Sequence, residues 1–276
     1  MIDLLDLHTH TTASGHAYNS LYEMAASASG RGIRIFGSSD HAPAMPGSSH
    51  YYHFINFKVL PRTLYGMKLL MGVELNIMDF EGNVDLDQDL LEKLDYSIAS
   101  LHQPCIKSGT ASQNTDAYLG AMKNPAIHII GHPDDSRFPI DYDTLTAAAR
   151  EHHKLLEVNN SSLTPLSYRQ GVRENYVKML ELCRHYRTPV IVNSDAHCEA
   201  DSGNHASAYA LLEELDFPQE LVVNTSLELL SAYIPRLNAI LAQPEGARCG
   251  QLPRDTGAPP GLVVMPPGTQ SRHQTS

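Results

Sequence analysis

Cationic side chains are scarce in this sequence, and long apolar runs are missing. The 276-residue chain has 20 Lys and Arg residues against 31 Asp and Glu residues, which gives a formal net charge of −11. Nucleic-acid-binding domains usually carry a basic face, so this balance argues against such a partner, and it also argues against an anionic membrane surface. No run of about 18 apolar residues occurs, so we expect no membrane-spanning helix.

Cysteine is also rare. The four cysteines form no CxxC pair and are too few for a disulfide scaffold, which favours a reducing compartment. We expect no signal peptide and a cytoplasmic protein, because no basic segment followed by an apolar one opens the sequence. Neither GxSxG nor GxxxxGK[ST] occurs, so the sequence offers no nucleophile elbow and no P-loop.

What the chain has instead is an alternation of short apolar runs and amphipathic stretches. Seven runs are apolar and not alternating in polarity, as in parallel strands buried on both faces: 4–8, 33–41, 69–76, 96–102, 127–132, 155–160 and 190–197. Strand–helix alternation implies parallel strands joined by crossovers. Seven such units in ~240 residues favour an α/β fold of the (β/α) barrel type, with an open doubly wound sheet as the alternative.

The end of the chain has a different composition. Six prolines and five glycines fall within residues 244–276. Such a composition without a period is typical of disordered segments. We therefore predict one domain over residues 1–243 and a disordered tail over residues 244–276.

Residues of the types that bind metals end six of the seven predicted strands. The carboxyl ends of all strands in a parallel barrel lie on one face, so these residues should converge. In the segments HTH and DAH, two such residues are separated by one position, which points both side chains the same way on a strand. The candidate ligands are His8, His10, His16, His41, Glu74, His102, His132, Asp195 and His197.

Nine imidazole and carboxylate groups exceed what one tetrahedral ion needs. A shared carboxylate can bridge two ions about 3.5–4 Å apart, so we predict two or three ions. Zn²⁺ is expected, with Mn²⁺ and Fe as alternatives. Such ions favour an anionic oxygen substrate, and they can generate a hydroxide nucleophile at neutral pH, here held by Glu74, Asp195 and His197. The sequence thus predicts a small phosphorylated substrate.

The ordered motifs LHTH…H, SDHA, GVELN, LHQP, GHPD and NSDAH resemble those of the PHP (polymerase and histidinol phosphatase) superfamily, most closely its YcdX-like phosphatase branch. The resemblance covers about residues 1–240. It implies a distorted seven-stranded (β/α) barrel with three metal ions. It places one ion on His8, His10, Glu74 and Asp195. It places the second on Glu74, His102 and His132, and the third on His16, His41 and His197.

The resemblance implies a metal-dependent phosphomonoester hydrolase, with histidinol phosphate as a substrate by analogy alone. The alternatives are a 3′–5′ exonuclease or other phosphodiesterase, and a metal-binding protein without catalysis. The sequence gives no indication of oligomeric state.

Several further residues have both a functional and an ordinary interpretation. Asp40 either orients the imidazole of a metal ligand or is a solvent-exposed loop carboxylate. Arg137 and Lys107 either bind a phosphate group of the substrate or are solvent-exposed cations in loops at the edge of the barrel. Asn159 and Asn160 end the strand that lacks a ligand and so suit a substrate contact. The aromatic stretch 50–57 either walls the pocket or packs locally.

Overall fold

The computed structural model describes residues 2–251 of the chain. Within this range the strands are β1 Leu5–Asp6, β2 Ile35–Ser38, β3 Thr63–Leu64, β4 Met67–Met71, β5 Glu74–Asn76, β6 Ile98–Ser100, β7 Ile129–Ile130, β8 Leu155–Asn159 and β9 Val190–Asn193. The helices are α1 Leu21–Gly30, α2 Tyr52–Ile55, α3 Gln88–Leu91, α4 Ala111–Met122, α5 Tyr142–Glu151, α6 Val172–Tyr186, α7 Ala206–Glu214, α8 Leu227–Tyr233 and α9 Leu237–Leu241.

The strands form two sheets, with orders β1-β2-β4-β3 and β5-β6-β7-β8-β9. All pairs are parallel except β3 with β4. Two parallel bridges, Thr9 with Ala196 and His41 with Glu74, link the two sheets beyond the ends of the strands. The fold is therefore the predicted distorted α/β barrel and not an open doubly wound sheet.

Alternate strand residues point into the barrel or towards the helices, because successive side chains of a strand lie on opposite faces. The first residues of several strands form an apolar cluster inside the barrel, with Leu5, Ile35, Ile98, Ile129 and Leu155 as members. Apolar residues of α8 and α9 belong to the same cluster. Their neighbours along the strands pack between the strands and the surrounding helices. The amino ends of the strands are thus filled and covered.

The predicted strand at 69–76 is divided into β4 and β5, and a short antiparallel β3, which the sequence analysis missed, precedes it. The division falls at Gly72 and Val73. A Cβ atom on Gly72 would lie 2.4 Å from the ring of Tyr96, so only glycine fits beside that buried ring. The break changes the course of the chain just before Glu74, which then begins β5 and pairs with His41.

The helices largely follow the amphipathic stretches of the sequence, which are 20–32, 85–94, 141–154, 174–187, 204–215 and 226–241, with the differences that follow. Helix α4 was not predicted, although Thr110 and Gln113 form a capping box at its start, which is a recognisable sequence signal. The stretch 226–241 forms two helices, α8 and α9, because Pro235 lacks the N–H that a continuous helix would need. No helix within residues 2–251 has the length and apolar character required to cross a bilayer.

The predicted tail lies mostly outside the described residues. Its first part, residues 244–251, contacts the barrel: the Arg62 N–H donates to Ala247 O at 2.8 Å, and the Cys249 N–H donates to Leu60 O at 2.9 Å. The Arg62 guanidinium also donates to Cys249 O at 3.1 Å and pairs with the buried Asp95. This segment therefore helps to hold a buried ion pair.

Candidate metal centre

All nine candidate ligands lie in one cluster: Glu74 begins β5, and the other eight lie beyond the carboxyl ends of strands. His8, His102, His132 and Asp195 each come two residues after the last residue of a strand, so the barrel places them at the same height. The backbones of His132 and Asp195 have positive φ angles, 27° and 52°. Such strained conformations persist where the surrounding structure fixes them, and they are common at functional sites.

Glu74 lies at the centre of the cluster and is fully buried. Its Oε1 lies 2.8 Å from His132 Nε2, 3.1 Å from His102 Nε2 and 3.3 Å from His8 Nε2. Its Oε2 faces the other side, 2.7 Å from His41 Nδ1 and 3.4 Å from His10 Nε2. One carboxylate thus faces five imidazoles, with different imidazoles at each oxygen.

Asp195 and the two remaining histidines complete the cluster towards the solvent. Asp195 Oδ1 lies 3.2 Å from His10 Nε2 and 3.6 Å from His197 Nδ1. His197 Nε2 lies 3.0 Å from His16 Nε2, and His16 is exposed. The cluster is therefore buried at Glu74 and open at His16 and His197.

The residues present fit bound metal ions. Four buried atoms that face one another lack hydrogen-bond partners: His8 Nε2, His10 Nε2, His41 Nδ1 and Glu74 Oε2. The short distance from His41 Nδ1 to Glu74 Oε2 does not have the geometry of a hydrogen bond. Buried polar atoms without partners are costly, and a cation would satisfy all four.

Several sets of three potential ligand atoms lie within 4.8 Å of one another: His8, His10 and Glu74; His41, Glu74 and His102; His8, His132 and Asp195; and His10, His41 and His197. The first two sets share Glu74. The arrangement therefore suits more than one ion, with Glu74 between them.

The electrostatics of the cluster also favour a cation. Burial would raise the pKa of Glu74, but His8, His41 and His102 hold it well below its usual value, so the carboxylate is ionised. Burial, together with His197 and His41, lowers the pKa of His10 and keeps its imidazole neutral, as a metal ligand must be. Around His8 the effect of burial is outweighed by Glu157, Glu74 and Asp195, which raise its pKa. Carboxylates that attract a proton there would also attract a metal ion.

Glu157, in the middle of β8, is a buried acid that the sequence analysis missed. Its Oε1 accepts hydrogen bonds from Asn193 Nδ2 at 2.8 Å and, through the imidazole N–H, from His8 Nδ1 at 2.8 Å. Its Oε2 accepts from the His132 backbone N–H at 2.8 Å and from Asn159 Nδ2 at 3.2 Å. The bond to Nδ1 leaves Nε2 of His8 free to face the cluster, which is how partner groups orient metal-binding imidazoles.

Asp40 orients a candidate ligand through a hydroxyl group. Ser14 Oγ donates to Asp40 Oδ1 at 2.7 Å and lies 2.9 Å from His10 Nδ1. Thr11 donates to the same carboxylate through its backbone N–H and its hydroxyl. His53 Nε2 lies 3.2 Å from Asp40 Oδ2. Hydrogen bonds and the neighbouring imidazoles offset burial and lower the pKa of Asp40 to about 2.

His102 is oriented in the same way by Asn76. Asn76 Oδ1 lies 2.7 Å from His102 Nδ1, and Asn76 Nδ2 donates to Asp85 Oδ2 at 2.7 Å. His8, His10 and His102 therefore each turn Nε2 towards the cluster because the other ring nitrogen has a partner.

A buried ionic network lies behind the cluster. His205 Nδ1 lies 2.7 Å from Asp3 Oδ2, and its Nε2 lies 3.6 Å from Asp6 Oδ1. Asp6 accepts hydrogen bonds from the backbone N–H and the hydroxyl of Ser194, the residue before Asp195. Burial lowers the pKa of His205, but the two carboxylates outweigh it and raise that pKa to about 9. The network fixes the backbone that carries Asp195.

A cavity of about 850 Å³ opens over the cluster. Arg169 lines it, and its Nη2 lies 3.3 Å from Asp195 Oδ2. Burial would lower the pKa of Arg169, but Asp134 and Asp195 raise it, so the guanidinium is charged. Arg137 also lines the cavity and is paired with Asp135. Arg137 is one of the residues predicted from the sequence, whereas Arg169 is not, because its only signal in the sequence is a lone cation in the loop after the sixth predicted strand.

Other predicted contacts lie elsewhere. Lys107 lines a separate surface depression and not the cavity over the cluster. The stretch 50–57 does not line the cavity, because Phe54 and Phe57 point into the core. Asn159 donates to Asp195 Oδ2 at 3.0 Å, so it positions a candidate ligand and is not a cavity-lining residue. Asn160 lines the cavity, so its predicted contact with the substrate stays a prediction.

Comparison with known proteins identifies the family. The PHP domain matches residues 6–164, more than half of the chain, so the chain belongs to the PHP domain family. A protein of Acetivibrio thermocellus named "Probable phosphatase" is 42% identical over 233 residues, which are 84% of this chain and 95% of that protein. A "Probable phosphatase" of Caldicellulosiruptor bescii is 44% identical over 230 residues, 83% of this chain and 95% of that protein.

Solved structures share the fold. The histidinol phosphate phosphatase of Lactococcus lactis, solved with Zn, L-histidinol and phosphate, aligns with a TM-score of 0.55 at 16% identity and covers 79% of this chain and 95% of its own. A structure from Listeria monocytogenes described as a putative histidinol phosphatase aligns with a TM-score of 0.51 at 17% identity, covering 74% and 99%. At these identities the likeness concerns the fold alone.

Proposed function

We propose that this protein is a metal-dependent phosphatase that hydrolyses small phosphomonoesters. The observation that carries the proposal is the placement of Glu74, a buried carboxylate with five imidazoles around it and unpartnered atoms on both sides. Relatives that are more than 40% identical over most of their length and carry the name phosphatase support it.

The proposed ligand sets are those that the family resemblance implies, and one of them contains a group of converging atoms described above, His8, His10 and Glu74. One ion would be held by His8, His10, Glu74 and Asp195, a second by Glu74, His102 and His132, and a third by His16, His41 and His197. When bound, such ions, of which Zn²⁺ is expected, supply Lewis acidity towards a phosphoryl oxygen and acidify a water molecule.

Arg169 is proposed to bind the phosphoryl group. Its guanidinium is charged, lines the cavity and lies beside Asp195, so it adjoins the ligand cluster. A planar guanidinium suits two oxygens of a phosphate group. The bond from Arg169 Nη1 to Ser162 Oγ at 2.7 Å would hold it there before the substrate arrives.

A small substrate is favoured over a nucleic-acid strand. Within residues 2–251, the Lys and Arg side chains that line the cavity are Arg137 and Arg169, and each lies against a carboxylate. A single-stranded nucleic acid normally needs a positively charged groove along its backbone. The net charge of −11 is consistent with this choice.

The test compares a phosphomonoester with a phosphodiester. We expect the purified protein to contain two to three transition-metal ions per chain and to hydrolyse p-nitrophenyl phosphate faster than bis(p-nitrophenyl) phosphate and single-stranded DNA. Chelation should abolish hydrolysis, and added Zn²⁺ should restore it. Less than one ion per chain after metal-supplemented expression would refute the metal centre. Faster DNA or diester cleavage, lost in Glu74→Gln, would identify a phosphodiesterase instead.

A further inference from the structure

The mouth of the cavity carries an unusual concentration of exposed apolar surface. Among residues 2–251, the large apolar side chains with the highest exposure are Leu166 at 93%, Tyr18 at 81% and Tyr168 at 69%. All three line the cavity over the candidate metal centre. Scattered exposed apolar residues are ordinary, but a group of them at one rim is typical of a binding surface.

The cavity is also larger than a phosphate group requires. Its volume of about 850 Å³ is in the range of pockets that enclose drug-sized ligands, roughly 300–1,000 Å³. Its lining includes the buried apolar side chains Leu101, Phe138 and Ile140. The space beyond the cluster is therefore bounded largely by apolar groups.

Polar side chains near Tyr168 are already paired within the protein. Arg137 donates to Asp135 Oδ1 and Oδ2 through Nε, and to Gln103 Oε1 at 2.7 Å through Nη1. Ser167 Oγ accepts from the Arg169 N–H at 3.2 Å. The Arg137 guanidinium therefore already has protein partners for its N–H groups, whereas an apolar group of a ligand would need no hydrogen-bond partner.

The segment that presents Leu166 and Tyr168 is anchored at its end. The Ser136 N–H donates to Gln170 O at 2.8 Å, and the Gln170 N–H donates to Asp135 Oδ1 at 3.2 Å. Gly171 follows with a φ of 63°, and a Cβ there would lie 2.1 Å from Ser136 Oγ, so glycine allows this close approach. The Arg137 guanidinium lies 4.8 Å from the centre of the Tyr168 ring and helps to position it.

We infer that the natural substrate is a phosphomonoester whose organic group is apolar and aromatic, and that Tyr168, Leu166 and Tyr18 determine this specificity. The phosphate end would lie at Arg169 and the ligand cluster, and the ring would lie against the exposed side chains at the mouth. Aromatic rings favour offset-stacked or edge-to-face contacts with tyrosine. The inference rests on the proposed function, since it names the substrate class of the same site.

The experiment uses substrates that share a leaving-group type. 2-Phenylethyl phosphate and ethyl phosphate both release a primary alcohol, so a difference between them reports on contacts with the ring. We expect kcat/KM for 2-phenylethyl phosphate to be about 10- to 100-fold higher, mainly through KM, because burying a phenyl group favours binding by that factor. Glucose 6-phosphate should be no better than ethyl phosphate.

Single substitutions show which side chains cause the preference for 2-phenylethyl phosphate over ethyl phosphate. Tyr168→Ala should reduce the ratio of kcat/KM between the two alkyl phosphates by about fivefold or more, and Tyr168→Phe should keep it. A mere displacement of Arg169 would lower both rates and leave the ratio unchanged, which would refute the role of Tyr168. Tyr52→Ala is the matched control, since Tyr52 is 64% exposed and lies outside the cavity.

A binding measurement separates this inference from the proposed function. Calorimetry with 2-phenylethylphosphonate and ethylphosphonate, which cannot be hydrolysed at the P–C bond, should show the same preference for the ring. Equal affinities together with equal rates would refute the inference and leave the phosphatase proposal standing. A preference in binding without hydrolysis of any monoester would refute the phosphatase proposal and, with it, the substrate class, while it would support Tyr168, Leu166 and Tyr18 as the site that binds an aromatic group.

Discussion

Replacing Glu157 by glutamine tests how the buried acid in β8 prepares His8 for metal binding. The carboxylate accepts four hydrogen bonds, two at each oxygen, and donates none. A glutamine amide keeps one oxygen and puts an NH₂ group in place of the other. Whichever way the amide is turned, its NH₂ group then faces the two N–H donors that were bonded to the oxygen it replaces.

The less costly orientation follows from the four donors. The backbone N–H of His132 cannot change its role, so the amide oxygen should stay on that side. The NH₂ group would then face His8 Nδ1 and Asn193 Nδ2. His8 can respond by moving its proton from Nδ1 to Nε2, but a protonated Nε2 cannot bind a metal ion.

The expected effect of Glu157→Gln is a 10- to 100-fold loss of zinc affinity, the usual result of removing a group that orients a ligand. The metal-free protein should also lose stability, by about 1–3 kcal/mol, because Asn193 is left with an unpaired buried donor. Chelator competition measures the affinity, and thermal melting in EDTA measures the stability. Glu151→Gln, at the exposed end of α5, is the control and should change neither.

A zinc affinity of Glu157→Gln within twofold of the original affinity would refute this role of Glu157. The role would also be refuted if affinity fell while nitrogen-15 NMR still showed the proton of His8 on Nδ1, because the loss would then have another cause.

Other predictions concern the centre, the chain end and pH. Glu74→Gln should lose at least one ion per chain and lower the rate by orders of magnitude. The control is His152→Gln, at the end of α5 and outside the ligand cluster, which should change neither quantity more than a few-fold. Elemental analysis measures the metal content, and steady-state kinetics measure the rate. Truncation before residue 244 removes the carbonyl groups of Ala247 and Cys249, which accept hydrogen bonds from Arg62. The truncated chain should therefore melt at least about 4 °C below a chain that ends at residue 251. Equal melting temperatures would contradict this prediction. His205 has a folded pKa of about 9 against 6.5 unfolded, so its stabilisation, roughly 3 kcal/mol, is complete below pH 6.5 and lost as pH rises through 9. His205→Gln should therefore flatten the melting temperature between pH 6.5 and 9, and an unchanged profile would refute the assignment.

The convergence of the candidate ligands could be predicted because it depends on features that a sequence displays. Short apolar runs mark the strands, and parallel strands bring their carboxyl ends to one face. His8, His102 and His132 follow their strands at the same offset, so even their common height was implicit in the pattern. Which three groups share an ion depends on side-chain distances, and no spacing along the chain encodes those.

The parts that were missed depend on the path of loops and on neighbours distant in sequence. Glu157 stands in the run LLEVNN, and a single acid within an apolar strand was a usable signal. Its partners His8 and Asn193 could not be identified before the barrel was known. Arg169 reaches the cluster because its loop folds back beside Ser162 and Asp135, which no periodic pattern predicts. The break at Gly72 likewise depends on the ring of Tyr96.

The apolar filling at the amino ends of the strands has a kinetic consequence. Because Leu5, Ile98 and Leu155 fill the barrel and α8 and α9 cover it, the cavity over the cluster does not continue through the barrel, and its opening is the mouth at Tyr18, Leu166 and Tyr168. In the proposed binding mode, the organic group lies between the phosphate and that opening. The alcohol must then depart first, and inorganic phosphate last. If the proposed function holds, release of products would therefore be ordered, and inorganic phosphate would compete with the next substrate molecule for the empty enzyme.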